Sequence, residues 1–246
     1  MRIALPLLLL LAQEEKKHFD LAVHEATKTF AYAEFLVVPV RVHLLQCTEA
    51  EALQCRLKEA DVRRVFGKAN RIWNKAGIAL SLESIVTEDA VMPKEFDEER
   101  LQDFKGTRPP KGIDRGMIHV FYVHRLPTNG VFMGPDAIFV KDTAALREVK
   151  GGVDEPIPRV TSHEIGHAMG LPHRQSTINL MASGTTGWSI SDAEIETVRG
   201  WATSQDWVLT PPAAFEKGHF GILAEIPGDS PLKEKAREKA ALKTKD

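Results

Sequence analysis

Hydrophobic and polar positions in the first half of the chain predict two strands separated by a helix. Residues 35–45 are rich in β-branched side chains and predict a strand, whose Pro39 indicates a sheet edge or a bulge. Apolar residues from Val62 to Trp73 recur at the helical period and form one face, with Gly77 as the expected C-cap. Residues 78–86 then alternate as a second strand.

The pattern in the second half predicts three more strands and two helices. Residues 93–115 are charged and contain adjacent prolines, which indicates a surface excursion. Strands are predicted at 117–123, 131–133 and 137–141, and helices at 159–169 and 191–204. The last helix opens on Ser191-x-x-Glu194, a capping box. This order predicts one α/β (α+β) domain with a twisted mixed sheet.

Composition narrows the functional classes. Hydrophobic residues make up 43% of the 246 positions and charged residues 27%, which suits a globular protein with a sizeable core. The net charge of −2 argues against a protein built to bind nucleic acid. Two cysteines are too few for a disulfide scaffold. Cys47 and Cys55 could form a short-loop bridge in an exported protein, or remain free thiols packed as small hydrophobes.

The two ends of the chain differ from its middle. Residues 1–12 place one arginine before a short leucine-rich run, which predicts a secretory signal peptide, although an apolar element of the fold is the alternative. We interpret residues 13–34 as a leader segment, 35–207 as the folded domain, and 208–246 as a C-terminal extension. The extension ends in a lysine-rich tail that we expect to be solvated. The mature protein is therefore expected to be secreted or periplasmic, and a monomer without membrane contact.

Candidate chemistry is concentrated in one segment, His163-Glu164-Ile165-Gly166-His167-Ala168-Met169-Gly170-Leu171-Pro172-His173. His163 and His167 are four residues apart and lie on one helical face, where both imidazoles reach one metal ion. Gly170 can adopt a positive φ, so the chain can reverse and bring His173 round as a third ligand.

Three histidines without a fourth protein ligand are typical of a catalytic zinc site with an open position. Zn²⁺ is the cofactor that this spacing predicts. Glu164 is next to the first ligand and is predicted to be the general base that takes a proton from the attacking water. Surface histidines on a helix, or a zinc site that only stabilises the fold, are the alternatives.

The segment resembles the zinc-binding signature of the metzincin metalloproteases, most closely their matrixin-like and reprolysin-like branches. The resemblance covers residues 35–205 and implies a single catalytic domain with an active-site helix, a methionine turn and a C-terminal helix. Met181 in Asn179-Leu180-Met181 resembles the methionine of that turn, with an ordinary core methionine as the alternative.

Two residues near the motif depart from this family pattern. Arg174 follows the third histidine, where the main branches have other residues. Ser183 occupies the place where two branches have a tyrosine, and the only tyrosines of this chain are Tyr32 and Tyr122.

The resemblance also implies where a substrate would bind. The cleft is expected along the edge strand near residues 130–135, where an extended peptide can add by main-chain pairing. Residues 182–190 are expected to form one wall of a side-chain pocket. Within them, Trp188 is more typical of a core residue than of a substrate contact. His119 and His124 are interpreted as structural histidines rather than ligands.

The functional expectation is a secreted zinc endopeptidase whose partner is an extended peptide or protein substrate. The alternative is a zinc-binding, non-proteolytic protein that holds a peptide in the same groove. An intact Glu164 favours the enzyme, since a binding protein has no need of a general base. A zinc hydrolase of non-peptide amides would use the same chemistry, so the sequence leaves it open.

Overall fold

The computed structural model describes residues 26–110, 113, 116–134 and 137–243, and the predicted signal peptide lies outside this range. Its strands are β1 (Leu36–Gln46), β2 (Ile78–Asp89), β3 (Ile118–Val123), β4 (Gly130–Phe132) and β5 (Ile138–Lys141). Its α-helices are α1 (Glu59–Trp73), α2 (Leu101–Gly106), α3 (Pro156–Ala168), α4 (Asp192–Ser204), α5 (Pro211–Glu216), α6 (Phe220–Glu225) and α7 (Pro231–Lys243). Short 3-10 turns occupy Tyr32–Glu34, Glu51–Leu53 and Asn74–Ala76.

The strands form one five-stranded mixed sheet in the order β2-β1-β3-β5-β4. All neighbours are parallel except β4, which runs antiparallel to β5 at one edge. This confirms the predicted α/β class and mixed sheet. At the opposite edge, the Asn70 side chain donates to the Leu80 carbonyl at 3.0 Å and accepts from the Leu80 N–H at 2.7 Å.

Pro39 does not lie at an edge, because β1 has a neighbour on each side. The edge prediction was wrong, but β1 does carry an irregularity, at Val40 and Arg41 in its register with β2. On the other side, the pairing with β3 begins only at Val40. Pro39 therefore interrupts no ladder on that side, which explains how an interior strand accommodates a residue without an N–H.

Helices α1, α3 and α4 share the main hydrophobic core with one face of the sheet. Alternate β1 residues such as Val40 and Val42 point into this core, where Trp73 of α1 is fully buried. Gly77 ends the α1 segment with φ 64°, the left-handed conformation predicted for a C-cap. Ser191 and Glu194 form the predicted capping box at the start of α4.

The segment 93–115 is less exposed than its charge pattern suggests. It contains α2, whose Phe104 is fully buried. Phe104 packs edge-on against Phe96 and Phe139 in a second cluster on the opposite face of the sheet. One aromatic residue in a polar run therefore anchors the excursion to the sheet.

The C-terminal extension is folded and packed. Helices α5, α6 and α7 form a third hydrophobic cluster with residues of β1 and β2. The expectation of a solvated tail was wrong for α7, because Ala236 is fully buried and the Lys233 ammonium donates to the Ile226 carbonyl at 2.7 Å. The apolar side chains of α7 are few and small, which hides its buried face from a periodicity argument.

Cys47 and Cys55 are both free thiols in the structure. Cys55 belongs to the main core, whereas Cys47 packs at the cluster on the other face of the sheet. The predicted bridge is therefore absent, since the two side chains lie in different layers. Among the described residues, no helix is long and apolar enough to cross a membrane.

Candidate active site

Helix α3 carries the first two candidate ligands and Glu164. It begins at Pro156, whose missing N–H needs no partner at a first helical position. It ends at Ala168, and Gly170 follows with φ 89°. The N–H of Leu171 then donates to the Gly166 carbonyl at 2.9 Å, which reverses the chain towards His173.

The structure brings His163, His167 and His173 together. The Nε2 atom of His167 lies 3.1 Å from Nε2 of His163 and 3.1 Å from Nε2 of His173. Nitrogen ligands around a tetrahedral zinc ion lie about 3.3 Å apart, so this spacing suits one ion. Burial decreases along the set, from a buried His163 to an exposed His173.

The opposite ring nitrogens fix the orientation of two of these rings. Nδ1 of His163 is 2.8 Å from the Leu180 carbonyl, and Nδ1 of His167 is 2.7 Å from the Leu171 carbonyl. Since a carbonyl only accepts, both Nδ1 atoms carry the proton and both Nε2 atoms present lone pairs. A guanidinium nitrogen of Arg159, 3.1 Å from the same His163 atom, therefore does not donate to it.

The Nε2 lone pairs of these histidines face and repel one another. Protonation of an imidazole would remove the repulsion, but it is energetically unfavourable here. Burial, aided by the nearby charges of Arg159 and the other two histidines, lowers the pKa of His163 to about 3, although its hydrogen bond to the Leu180 carbonyl opposes this shift. Burial also lowers the pKa of His167. Neutral imidazoles whose lone pairs converge at this distance fit a soft-to-borderline cation such as Zn²⁺. The residues present therefore fit the predicted ion.

Glu164 lies in the cleft beside this cluster. Burial raises the pKa of its carboxyl group to about 8, against the opposing effects of Arg159 and of a hydrogen bond from the Phe132 backbone. Gly130 of β4 allows this close packing. A Cβ atom there would lie 2.7 Å from a methyl carbon of Val160 and 2.9 Å from Cγ and Oε1 of Glu164.

A cavity of about 280 Å³ opens between β4, α3 and the loop after the third histidine. Its lining includes Glu164, His163, His173, Arg159 and Ser183. The cavity therefore opens directly beside Glu164 and two of the candidate ligands. A larger cavity, of about 420 Å³, lies between α1, β2 and residues 217–225, away from the histidines.

Met181 lies beneath the candidate ligands and is fully buried. Its sulfur occupies the space beside Gly166, where an added Cβ would lie 2.7 Å from Sδ. The Met181 N–H donates to the Asn179 side-chain oxygen at 2.7 Å. Buried Arg159 braces the same loop by donating to the Ala182 carbonyl and, at 3.0 Å, to that of Gly187. Together these contacts hold the floor of the site against α3.

Arg174 and Glu194 form an ion pair behind the third histidine, with Nε of Arg174 2.9 Å from Oε1 of Glu194. The other carboxylate oxygen accepts from Asn179 at 3.0 Å and from the Ser191 backbone at 2.8 Å. Burial alone would raise the pKa of Glu194, but these hydrogen bonds hold it below its ordinary value.

His119, His124, Trp188 and Tyr122 make their side-chain contacts with residues other than the candidate ligands. Nδ1 of His119 is 2.9 Å from His43, and Nδ1 of His124 is 2.8 Å from Asp142. Trp188 is half-buried against the core and donates to the Gly151 carbonyl at 2.8 Å. The hydroxyl group of buried Tyr122 is 2.8 Å from that of Thr161.

Sequence reasoning missed Arg159 and Glu194 as parts of the site, and it placed Gly130 along the cleft without predicting its contact with Glu164. Arg159 has a local signal, because it precedes His163 by one helical turn and is the only lysine or arginine in α3. Gly130 and Glu194 have none, since their contacts join segments that are distant along the chain.

Comparison with known proteins gives remote structural likenesses. No curated protein matches the chain. Mature mirolysin from Tannerella forsythia, in complex with a cleaved peptide, is 12% identical with a TM-score of 0.48, over 67% of this chain and 90% of that chain. Archaemetzincin from Methanopyrus kandleri is 11% identical with a TM-score of 0.45, over 68% of this chain and 96% of that one.

The sequence itself gives the stronger result. A model of the Matrixin family matches residues 47–197, which is more than half of the chain. The matched range contains the three histidines, Glu164 and Met181, the residues on which the metzincin resemblance rests. That family of peptidases implies a zinc cofactor, in agreement with the histidine cluster. The chain therefore belongs to the Matrixin family of metzincin metallopeptidases.

Proposed function

We propose that the protein is a secreted zinc endopeptidase that binds its ion through His163, His167 and His173 and uses Glu164 as general base. The observation that carries this proposal is the convergence of three imidazole Nε2 atoms, 3.1 Å apart in two pairs, in a cleft lined by Glu164. The same cavity offers room for a substrate side chain.

The division of labour follows from the chemistry of these groups. When bound, zinc supplies Lewis acidity, which polarises the scissile carbonyl and lowers the pKa of water. A carboxylate oxygen of Glu164 accepts the proton of the attacking water and then passes it to the leaving amine. Burial favours the neutral acid of Glu164 when no metal is bound, and the nearby charge of Arg159 opposes this effect only in part. The positive charge of a bound zinc ion would favour the ionised carboxylate that this role needs.

The edge of the sheet supplies a place for the peptide. β4 is the outermost strand on the side of the cleft and has a sheet neighbour, β5, on only one side. An extended substrate can add to such an edge by backbone hydrogen bonds, while one of its side chains enters the cavity. Recognition through the backbone suits an enzyme that acts within peptide chains.

The decisive experiment is Glu164→Gln, assayed with a peptide library and by metal analysis. The amide has the shape of the carboxylate but cannot accept the proton, so zinc should be retained while cleavage falls at least ~100-fold. Glu196→Gln, an exposed change on α4, is the matched control and should leave cleavage unchanged. Cleavage by Glu164→Gln within a few-fold of wild type would refute the general-base role.

The same peptide library also distinguishes a peptidase from a zinc-binding protein that holds peptides without cleaving them. A wild-type protein that retains zinc and binds peptides but cleaves none of them would be a non-proteolytic binding protein on the same scaffold.

Secretion is proposed from the leucine-rich run at residues 1–12. N-terminal sequencing of protein recovered outside the cytoplasm should begin after this run. Recovery of an intact Met1 from the cytosol would contradict export.

A further inference from the structure

We propose that the ion pair of Arg174 and Glu194 is a positioning device for His173 and slows release of the metal ion. This proposal rests on the proposed function only in taking zinc as the ion that the three histidines bind. Arg174 and Glu194 are positioning residues here, because they act through the third ligand.

The three candidate ligands are not equally restrained. His163 and His167 lie within α3, and each Nδ1 is bonded to a backbone carbonyl. His173 is exposed and lies beyond the end of the helix. Among the described residues, its ring has a hydrogen-bond-range contact with His167 through Nε2, and none is found for its Nδ1. The orientation of His173 therefore depends on its backbone and on the packing of its ring against those of His163 and His167.

That backbone is a short segment held at both ends. At its start, Leu171 is buried and its N–H donates to the Gly166 carbonyl at 2.9 Å. At its end, the Arg174 N–H donates to the Met181 carbonyl at 2.9 Å, and the Arg174 side chain reaches Glu194. Pro172 and His173 lie between these two anchors, so loss of either anchor would free the ligand.

Glu194 makes the second anchor rigid. Its side chain is 1% exposed and is bonded to Arg174, Asn179 and Ser191 at once. Asn179 in turn binds the Met181 N–H. One buried carboxylate thus joins the residue after the third ligand, the loop beneath the metal site and the first turn of α4. A movement of the segment from Leu171 to Arg174 would therefore break a buried, charge-assisted contact between Arg174 and Glu194.

The test measures zinc release, which does not depend on peptidase activity. Zinc-loaded wild type, Arg174→Met and Arg174→Lys are mixed with excess chelator, and the rate of metal transfer is followed. Loss of a group that orients a ligand typically costs about 10- to 100-fold in metal affinity, so we expect release from Arg174→Met to be faster by about that factor. Arg174→Lys keeps the charge and should release zinc at an intermediate rate.

A matched control separates positioning from general stability. Arg199 lies on the same helix, α4, and donates to the backbone carbonyls of Gly77 and Glu34, far from the histidines. Arg199→Met should lower the thermal stability of the zinc-free protein but leave the zinc-release rate unchanged. Glu194→Gln provides a second route, since it keeps the size of the side chain but removes the charge and turns one of the two acceptor oxygens into an NH2 donor that faces other donors. It should also accelerate release.

The outcomes distinguish this proposal from the proposed function. Release rates of Arg174→Met and Glu194→Gln within two-fold of wild type, with lowered thermal stability, would make the pair purely structural and overturn the proposal. If wild type itself bound no zinc, the proposed function would fail and the positioning role with it. Faster release confined to the Arg174 and Glu194 variants would support the proposal.

Discussion

In the part of the chain that the structure describes, histidines gather at two places, and the two clusters differ in the partners of each ring nitrogen. In the cleft, His163 and His167 bind carbonyls through Nδ1 and present Nε2 to the third histidine. On the opposite face of the sheet, His43 uses both nitrogens within the fold. Its Nδ1 contacts Glu88, and its Nε2 is 2.9 Å from His119.

Burial does not separate the two clusters, because His43 and His119 are as buried as His163 or more so. The two clusters differ instead in the direction of the nitrogen lone pairs. The core cluster satisfies its rings with a carboxylate and with another histidine, and it stacks His43 on Phe121 at 4.2 Å between ring centroids. The cleft cluster leaves three Nε2 atoms converging on one point. In two of these three histidines the second nitrogen is already occupied by a backbone carbonyl, as is common for histidines that bind metal.

The largest expected effect would come from breaking the cleft cluster. His167→Ala removes the central nitrogen of the three, so zinc content should fall to nearly nothing. His43→Gln should keep one zinc per chain, since its ring lies in the core. Metal analysis of both folded variants measures the difference. Stoichiometric zinc in His167→Ala, or loss of zinc in His43→Gln, would contradict the assignment of ligands.

A smaller effect is expected when the ligands are kept but Glu164 is displaced. Gly130→Ala places a methyl group 2.9 Å from Oε1 of Glu164 and 2.7 Å from Val160, so the carboxylate must move. A displacement of this kind should lower kcat/KM by about 10- to 100-fold without loss of zinc. Gly200→Ala is the control, because a Cβ there meets nothing within 4 Å. Equal activity of the two variants would show that Glu164 tolerates displacement.

The cluster of His43 and His119 should affect how the free energy of unfolding depends on pH. Burial, aided by the charges of His119 and Arg41, lowers the pKa of His43 to about 3. The folded state therefore excludes a proton that the unfolded chain takes up near pH 6.5. This stability is fully present above pH 6.5 and is lost as the pH falls from there towards 3, by up to about 1.4 kcal/mol per pH unit.

Glu88 works in the opposite direction, because burial raises its pKa and the folded state then gains stability as the pH falls. Urea unfolding of zinc-free protein between pH 7.5 and 5 measures the net slope without a contribution from metal release. His43→Gln removes the titrating ring and should flatten the slope relative to wild type. An unchanged slope would mean that His43 binds its proton equally well in the folded and unfolded states, so that its pKa is not lowered by folding.

The smallest effect is expected beneath the cleft. Met181→Leu conserves volume in a buried position beside Gly166, so the free energy of unfolding should fall by less than about 1.5 kcal/mol, with zinc retained. Guanidinium unfolding of the two proteins measures the change. A much larger loss would indicate that the thioether itself is needed beneath the ligands.

Most of the fold could be predicted because its elements have local signals. The periodic faces of α1 and the alternation in β2 appear in the structure close to the predicted bounds. Three features were not predicted, because they depend on tertiary packing. Pro39 fits an interior strand only through the register of β3, Phe104 is a single buried aromatic residue in a charged run, and Ala236 is buried only because α6 and α7 pack together.

The residues of the site likewise divide into those with a local sequence signal and those that depend on tertiary packing. His163, Glu164, His167 and His173 lie within eleven residues, so helical spacing and one glycine turn suffice to bring them together. Arg174 was recognisable as unusual at its position, but its partner Glu194 is twenty residues further on. Gly130 lies on β4 and contacts Glu164 of helix α3. Contacts of this kind depend on how elements pack, which no local pattern records.

The side-chain amide of Asn70 has a consequence for self-association. It occupies both backbone groups of Leu80 on β2, as a neighbouring strand would, while β4 at the other edge keeps its outer side for an incoming chain. An enzyme that bound extended peptides along β4, as proposed, would need one open edge but not two. If both edges were fully open, β4 of one copy could pair with β2 of the next and propagate as an endless fibre. By occupying the backbone groups of Leu80, Asn70 disfavours such pairing at that point of β2.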